Sequence, residues 1–288
     1  MTENETLRTA LARNVRDALA EDIGRGDWTA QLVPAGRRVT GRVVAKEAAV
    51  ICGRPWFDAC VLTLDPSATL RWAVAEGAAV AAGTEIVRIE ADARALLSAE
   101  RPALNFLQTL SAVATTTRQY VQAIAGASPN PKGCAVHDTR KTLPGLRQAQ
   151  KYAVRSGGGR NQRLALWDGI LIKENHIAAA GGIALALRAA FALNAGVSVQ
   201  VEVESLAELQ EALAAGAQNV LLDDFSLADM HRAFALNAAR PAPAVLEVSG
   251  GVDLDSIRAI AATGVDRISV GKLTKDVRAV DLSLRIDP

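Results

Sequence analysis

The stretch VHDTRKTLPGLRQAQKYAVRSGGGRNQRLALWDGILIKENHI, Val136 to Ile177, decides how the chain is read. Between Asp138 and Glu174 it carries eight cations, Arg140, Lys141, Arg147, Lys151, Arg155, Arg160, Arg163 and Lys173, interrupted by one acid, Asp168. The whole chain has a formal net charge of +1, so this run is a local concentration of positive potential, of the kind that attracts polyanions. Any single one of these residues is expected on a solvated face, but the run as a whole is not. Turns at Thr142-Leu143-Pro144-Gly145 and Ser156-Gly157-Gly158-Gly159 punctuate it, where backbone amides can also face an anion. It closes in the apolar segment Gly169-Ile170-Leu171-Ile172, followed at once by Lys173. An anion site is expected here.

Downstream, short apolar segments recur, each followed by a turn and a helical pattern. They are AVHDT, GILIK, VSVQVEV, NVLLDD, AVLEVSG and DRISVGK. Ser205 with Glu208, and Ser226 with Asp229, read as capping boxes that start two of the helices. Buried strand alternating with capped helix argues for a parallel sheet with right-handed crossovers. Six strands, not eight, can be read, so an incomplete TIM-like α/β barrel is expected over residues 126–288.

Upstream, residues 5–22 read as an amphipathic helix with Leu7, Leu11, Val15 and Leu19 on one stripe. Arg38 to Val50 alternates as one strand, and Gly53-Arg54-Pro55 starts a helix through Trp56 and Cys60. Leu70–Ala75 and Glu85–Ile89 read as strands joined by EGAAVAAGT. That hairpin resembles a lipoyl or biotinyl carrier, but no lysine lies between Lys46 and Lys132 to accept the group. From Ala93 the pattern is helical to about Gly126, and Pro102 should kink or restart it. Glu100-Arg101 reads from this stretch as a surface ion pair. A boundary is expected at ASPNPKG, giving a smaller N-terminal α/β sandwich domain over residues 1–125. The last residues of the chain are expected to pack back on it.

Composition excludes several classes. Half the residues are hydrophobic and 22% are charged, ordinary for a globular chain of 288 residues. The N-terminus lacks the apolar core of a signal peptide, and no apolar run is long and charge-free enough to span a bilayer. Three cysteines without a CxxC pair indicate neither a disulfide framework nor a zinc site, so a reduced cytoplasm is expected. His137, His176 and His231 show no metal-ligand spacing.

In a barrel, residues at the C-terminal strand ends converge on the active site. Taken in order, those ends give Arg140 and Lys141, then Lys173, Glu202 with Glu204, Asp223 with Asp224, Ser249-Gly250-Gly251, and Gly271-Lys272. The last two match the phosphate site many barrels form after their final strands. Carboxylates beside cations suit ribose hydroxyls and Mg²⁺, a hard cation that takes oxygen ligands and substrate phosphates. Of each acidic pair, Glu202 and Asp223 fit a site better than Glu204 and Asp224, which read as surface or capping acids. The Asp-Asp pair also occurs in ordinary phosphoribosyltransferases, but the Thr/Gly-rich phosphate loop that follows it there is missing here.

The string DTRKTLPGLR, the spaced GGG, Asn161 and Arg163, and LIKENH resemble quinolinate phosphoribosyltransferase. The resemblance extends to LLSAERPALNFLQTLSAVAT, VQVEVESLAEL, VLLDDF, LEVSGGV and GVDRISVGKLT, and so covers essentially the whole chain. It implies a small N-terminal α/β domain, an incomplete barrel and a homodimer whose site the neighbouring subunit completes. Arg140, Arg163 and Lys173 would hold the two quinolinate carboxylates, and Lys141, with Thr142, would lie near the phosphates. Arg101 would reach in from the partner, which replaces the ion-pair reading. Glu202 and Asp223 would hold ribose hydroxyls directly or through Mg²⁺, and Ser249, Gly250, Gly251, Val270 and Gly271 would surround the 5′-phosphate. The catalytic set implied is Lys141, Lys173, Glu202 and Asp223. Where the family usually has Asn-His-Arg, this chain has Asn161-Gln162-Arg163, and Ala165 replaces a usual glycine.

The implied reaction transfers phosphoribosyl from phosphoribosyl pyrophosphate to quinolinate and releases CO₂, giving nicotinate mononucleotide for NAD biosynthesis. A related enzyme with an altered pyridine substrate is the first alternative, because Gln162 cannot carry charge or transfer a proton. A Schiff-base aldolase using Lys173 is the second. An RNA-binding module is disfavoured by the scarcity of aromatics in the basic stretch, where only Tyr152 and Trp167 occur. No nucleic-acid or membrane partner is expected.

Overall fold

The structure, a computed structural model, describes residues 4–287. In chain order it forms α1 (Leu7–Ile23), β1 (Arg38–Ala45), β2 (Ala49–Val50), α2 (Arg54–Leu64), β3 (Thr69–Trp72), β4 (Ala79–Val80), β5 (Glu85–Asp92) and α3 (Ala93–Ala123). There follow β6 (Ala135–His137), α4 (Arg147–Ser156), β7 (Ile170–Ile172), α5 (Glu174–Ala180), α6 (Ile183–Ala192), β8 (Val199–Val203), α7 (Leu206–Ala214) and β9 (Asn219–Asp223). The chain ends with α8 (Leu227–Ala238), β10 (Val245–Ser249), α9 (Ile257–Ala262), β11 (Arg267–Ser269), α10 (Lys272–Lys275) and β12 (Leu282–Ile286). It divides into two compact units, one of residues 1–118, 142–158 and 273–288, the other of residues 119–141 and 159–272.

In the first unit an antiparallel sheet runs in the order β12-β1-β5-β3. Its alternating face buries Val43, Ala45, Val87, Ile89 and Ala91. Helix α3 crosses this sheet closely enough that a Cβ on Gly41 would stand 3.3 Å from Leu96 Cδ2. The expected strand from Arg38 to Val50 is in fact two: β1 stops at Ala45, and Ala49–Val50 pairs antiparallel with Ala79–Val80 in a separate ribbon. Pro102 neither ends nor restarts α3, although it has no N–H for the helical ladder. Leu96, Leu104, Leu107 and Leu110, at most 1% exposed on either side of it, bury one stripe whose packing outweighs the lost bond. On α1, Val15 and Leu19 are buried as expected, but Ala10 and Asn14 complete the stripe. Asn14 is held there because its amide donates to Gly145 O at 3.0 Å and its carbonyl accepts from the Trp56 indole at 3.3 Å.

In the second unit six parallel strands run in the order β6-β11-β10-β9-β8-β7. The order rises from β7 to β11 and then meets β6, as in a barrel wall, while β6 and β7 do not pair with each other. This is the incomplete α/β barrel that the sequence predicts. Ser205 and Ser226 cap α7 and α8, accepting from Glu208 N at 3.2 Å and Asp229 N at 3.1 Å. The return halves of the boxes go elsewhere. Glu208 accepts from Glu204 N at 2.7 Å, and Asp229 accepts from the Ser226 hydroxyl at 2.7 Å.

Candidate active site

Strand register sets the site. Ser249 on β10 lies beside Asp223 on β9, and one layer down Leu221 is flanked by Glu202 and Glu247. Because side chains alternate along a strand, Glu202, Asp223, Leu221, Glu247 and Ser249 can share the inner face. The chain leaves β6 through Asp138, Thr139, Arg140 and Lys141, and leaves β7 through Lys173.

Two local devices aim the cations. Asp138 is fully buried and accepts from Asn161 Nδ2 and, at 2.9 Å, from Gln162 N, which clamps the Asn161-Gln162-Arg163 loop to the end of β6. Arg163 then donates through Nη1 to Gly169 O at 2.9 Å, and Asp168 closes the loop by accepting from Leu164 N at 2.7 Å. Ala165 costs this loop no backbone strain: the non-glycine residues with positive φ among those described are Asn194 and Asp224. Lys173 is the extended N-cap of α5, and its N–H donates to His176 Nδ1 at 3.1 Å. The histidine of LIKENH is therefore a helix cap that fixes where the lysine begins.

Arg140, Lys141, Gln162, Arg163, Lys173, Glu202, Asp223 and Ser249 all line one cavity, which encloses about 730 Å³ including its open mouth. Lys173 Nζ lies 2.9 and 2.6 Å from the two oxygens of Glu202. Burial, and after it the charge of Arg140, push the Arg163 guanidinium down from its ordinary value. Two guanidiniums that disfavour one another in a part-buried cavity make a site that gains from a bound dianion. Glu204 is exposed, and its carboxyl is held up by a hydrogen bond with Glu174. It and Asp224 do not line the cavity.

The remaining expected residues lie elsewhere. Arg101 and Thr142 belong to the first unit, where Thr142 Oγ1 accepts from Arg147 Nε at 3.1 Å and Arg101 stands 3.7 Å from Glu100. Gly250 and Gly251 follow β10 with φ of 102° and 55°, and a Cβ on Gly250 would stand 3.1 Å from Asp224 N. Val270 donates its N–H to His137 O at 2.9 Å, and Gly271 leads into α10. Residues 142–158 are assigned to the first unit, so the basic run is shared between two units. Lys151 within it is fully buried, not on a solvated face. Nor do Gly157 and Gly158 offer amides to an anion, since both donate to the end of α4, to Ala153 O and Arg155 O.

Sequence reasoning passed over Thr139, Glu247 and Ser269, which also line the cavity, and Asp138, which anchors its loop. Glu247 left a signal, a carboxylate between Leu246 and Val248 in an apolar strand, on the same face as Ser249. Burial pushes the thiols of Cys60 and Cys134 up to about 12, which suits structural cysteines and not nucleophiles. Among the described residues no group of three or more His, Cys, Asp or Glu side chains is placed to hold a metal ion by itself.

A parallel α/β barrel wall with four cations and three carboxylates in one cavity at its strand ends defines a barrel enzyme for a polyanionic substrate. Residues 27–111 match the quinolinate phosphoribosyl transferase N-terminal domain, and residues 113–285 the C-terminal domain. The chain belongs to the quinolinate phosphoribosyltransferase family. It is 42% identical over 277 residues to the carboxylating nicotinate-nucleotide pyrophosphorylase of Mycobacterium leprae, covering 94% of this chain and 95% of that one. It is 39% identical over 267 residues to the probable enzyme of the same name from Bacillus subtilis, covering 92% and 90%. The nicotinate-nucleotide pyrophosphorylase structure from Francisella tularensis superimposes over 100% of both chains, with a TM-score of 0.92 and 43% identity.

Proposed function

We propose that this chain transfers the phosphoribosyl group of phosphoribosyl pyrophosphate to the ring nitrogen of quinolinate and releases pyrophosphate and CO₂. The product is nicotinate mononucleotide, in NAD biosynthesis. The observation that carries this reading is the convergence of Arg140, Lys141, Arg163 and Lys173 with Glu202 and Asp223 in one cavity of a chain from this family. Arg140, Arg163 and Lys173 hold the two pyridine carboxylates, with guanidinium forks suited to bidentate contact. Lys141 faces the pyrophosphate, on which charge builds as the ribose passes through an oxocarbenium-like state. Glu202 and Asp223 hold the ribose hydroxyls, and Ser249 with the Gly250-Gly251 turn and the Val270-Gly271 backbone surrounds the 5′-phosphate. Once the nitrogen is alkylated, the cationic ring stabilises the electron pair left when CO₂ departs. A proton from solvent then takes up that electron pair at the carbon CO₂ has left, so the chain's residues hold and orient the carboxylates and no general base is required at Gln162.

Two carboxylates without a third ligand suit Mg²⁺ only if substrate oxygens complete its shell. Glu202 and Asp223 would hold the ion, which when bound would neutralise charge on the pyrophosphate. Arg101, with 57% of its side chain exposed and only a 3.7 Å contact to Glu100, is free to serve the site of a second subunit in a homodimer. Among the described residues no single helix is long and apolar enough to cross a membrane. The free, largely buried cysteines fit a reducing cytoplasm. Calorimetric titration tests the assignment: Arg140→Ala with Arg163→Ala abolishes quinolinate binding, whereas near-normal binding by that double variant sinks it.

A further inference from the structure

A chain of polar side chains runs along the floor of the cavity, from β11 through β10 and β8 to the loop of Arg163, and of its members only Gln200 lies below the lining. The Ser269 hydroxyl donates to Glu247 Oε1, and Gln200 Nε2 donates to Glu247 Oε2 at 3.1 Å. Gln162 Nε2 then donates to Gln200 Oε1 at 2.9 Å. Gln200 and Glu247 are 4% and 0% exposed. Gln200 lies two residues before Glu202 on β8, on the same strand face and one layer deeper, and it does not line the cavity.

Each link fixes the direction of the next. Both Glu247 oxygens accept, so the Gln200 amide turns its nitrogen toward β10 and its oxygen toward the loop. That oxygen takes the Gln162 nitrogen, which leaves the Gln162 oxygen to accept from Arg163 N at 2.6 Å. Gln162 is therefore not a loose neutral donor where the family usually has histidine. Its amide is set from below by a buried carboxamide anchored on a buried carboxylate, and such networks rigidify the groups they hold when every member is satisfied.

We propose that Gln200 is a positioning residue for the pyridine dicarboxylate, acting through Gln162 to fix the backbone and hence the guanidinium of Arg163. The inference rests on the reading of Gln162 and Arg163 as the pyridine side of the cavity. It predicts that substrate selectivity in this chain depends on the pair Gln162–Gln200 and not on position 162 alone.

The test is steady-state kinetics on the full chain carrying Gln200→Met, which keeps length and volume but removes both polar ends. The quinolinate KM should rise by about tenfold, the loss of one aligned hydrogen bond to a held group, with the KM of phosphoribosyl pyrophosphate unchanged within about twofold. In a Gln162→Ala background the same change should add less than about twofold to the quinolinate KM, because the effect travels through Gln162. An equal rise in both KM values, or an undiminished loss in the Gln162→Ala background, would show a merely structural role and overturn the proposal. If Gln200→Met does not fold, Gln200→Asn keeps a carboxamide too short to reach both partners. It should give the same selective rise, and a rise in both KM values overturns the proposal equally. If Gln162→Ala itself leaves the quinolinate KM unchanged, the pyridine-side reading fails. If it raises that KM and Gln200→Met does not, only the positioning role fails.

Discussion

Lys173 Nζ sits between the two carboxylate oxygens of Glu202, 2.9 and 2.6 Å away, and both side chains line the same cavity. The lysine proposed for a pyridine carboxylate and the carboxylate proposed for a ribose are thus paired with each other in the free protein. A Schiff-base aldolase needs a free amine at this position, and an ammonium held by a carboxylate is a poor start for that chemistry. On the proposed roles each side chain exchanges this partner for a substrate group, so the order in which the substrates bind bears on the pair.

Opening the pair gives the first prediction. With Glu202→Gln, Lys173 is released to the incoming dianion, and quinolinate binding without phosphoribosyl pyrophosphate should tighten by about fivefold, while turnover falls. Calorimetry and initial rates measure the two effects separately. Weaker quinolinate binding in this variant would contradict the pairing.

Arg163 is pushed down by burial and by Arg140, so removing one guanidinium relieves strain as it removes a ligand. Arg163→Ala should weaken quinolinate binding by about a hundredfold, roughly the value of a charge-assisted pair, without lowering the thermal midpoint. A fall in the midpoint of several degrees would show that Arg163 serves the fold first.

Mixing inactive variants tests the second subunit. If Arg101 and Lys173 of one site come from different chains, Arg101→Ala and Lys173→Ala protein mixed under exchange should recover about a quarter of wild-type activity, from heterodimers with one intact site. Activity no greater than that of the separate variants would place both residues in the same chain's site.

Asp65 carries a pH prediction. It is buried and accepts from the Ser67 hydroxyl at 2.6 Å, Asp92 N at 2.8 Å, Ser67 N at 2.9 Å and Arg38 at 2.9 Å. The Ser67 hydroxyl, then the Asp92 N–H, hold its carboxyl below the usual range. The folded value is depressed, so the stabilisation is present above the unfolded value of about 4 and is lost as pH falls through the folded value. Asp65→Asn should cost about 2 kcal/mol at pH 7, and the gap to wild type should close in acid. Urea unfolding at pH 7 and pH 3 measures it, and a gap that does not change with pH contradicts the account.

The glycine run has a packing test. A Cβ on Gly157 would stand 2.5 Å from Ala114 O and 2.7 Å from Thr117 Cβ, neither of which can swing aside. Gly157→Ala should therefore destabilise the chain by about 3 kcal/mol, as overpacking does. An unchanged unfolding midpoint would mean that α3 yields there.

What the sequence made legible was local. Six apolar segments ending in charged or small residues announced the barrel wall, and the residues just past them announced Arg140, Lys141, Lys173, Glu202, Asp223 and Ser249. What it hid was decided by distant partners. Pro102 reads as a breaker until the buried leucines on both sides are seen to hold α3 together. Lys151 reads as part of a basic face because burial is not written in a charge. Gly157 reads as an anion turn because its neighbours in α3 are some forty residues away. The link from Gln162 through Gln200 to Glu247 depends on which strands pair, and no spacing along the chain announces it.

The most direct test of the central claim is the reaction itself. Purified protein is given Mg²⁺ and phosphoribosyl pyrophosphate with quinolinate or nicotinate in parallel, and pyridine nucleotide, pyrophosphate and CO₂ are followed together. Nicotinate mononucleotide from quinolinate, with one CO₂ for each pyrophosphate and no product from nicotinate, is the predicted result. Turnover of nicotinate without CO₂, or no product from quinolinate by folded protein, would contradict it.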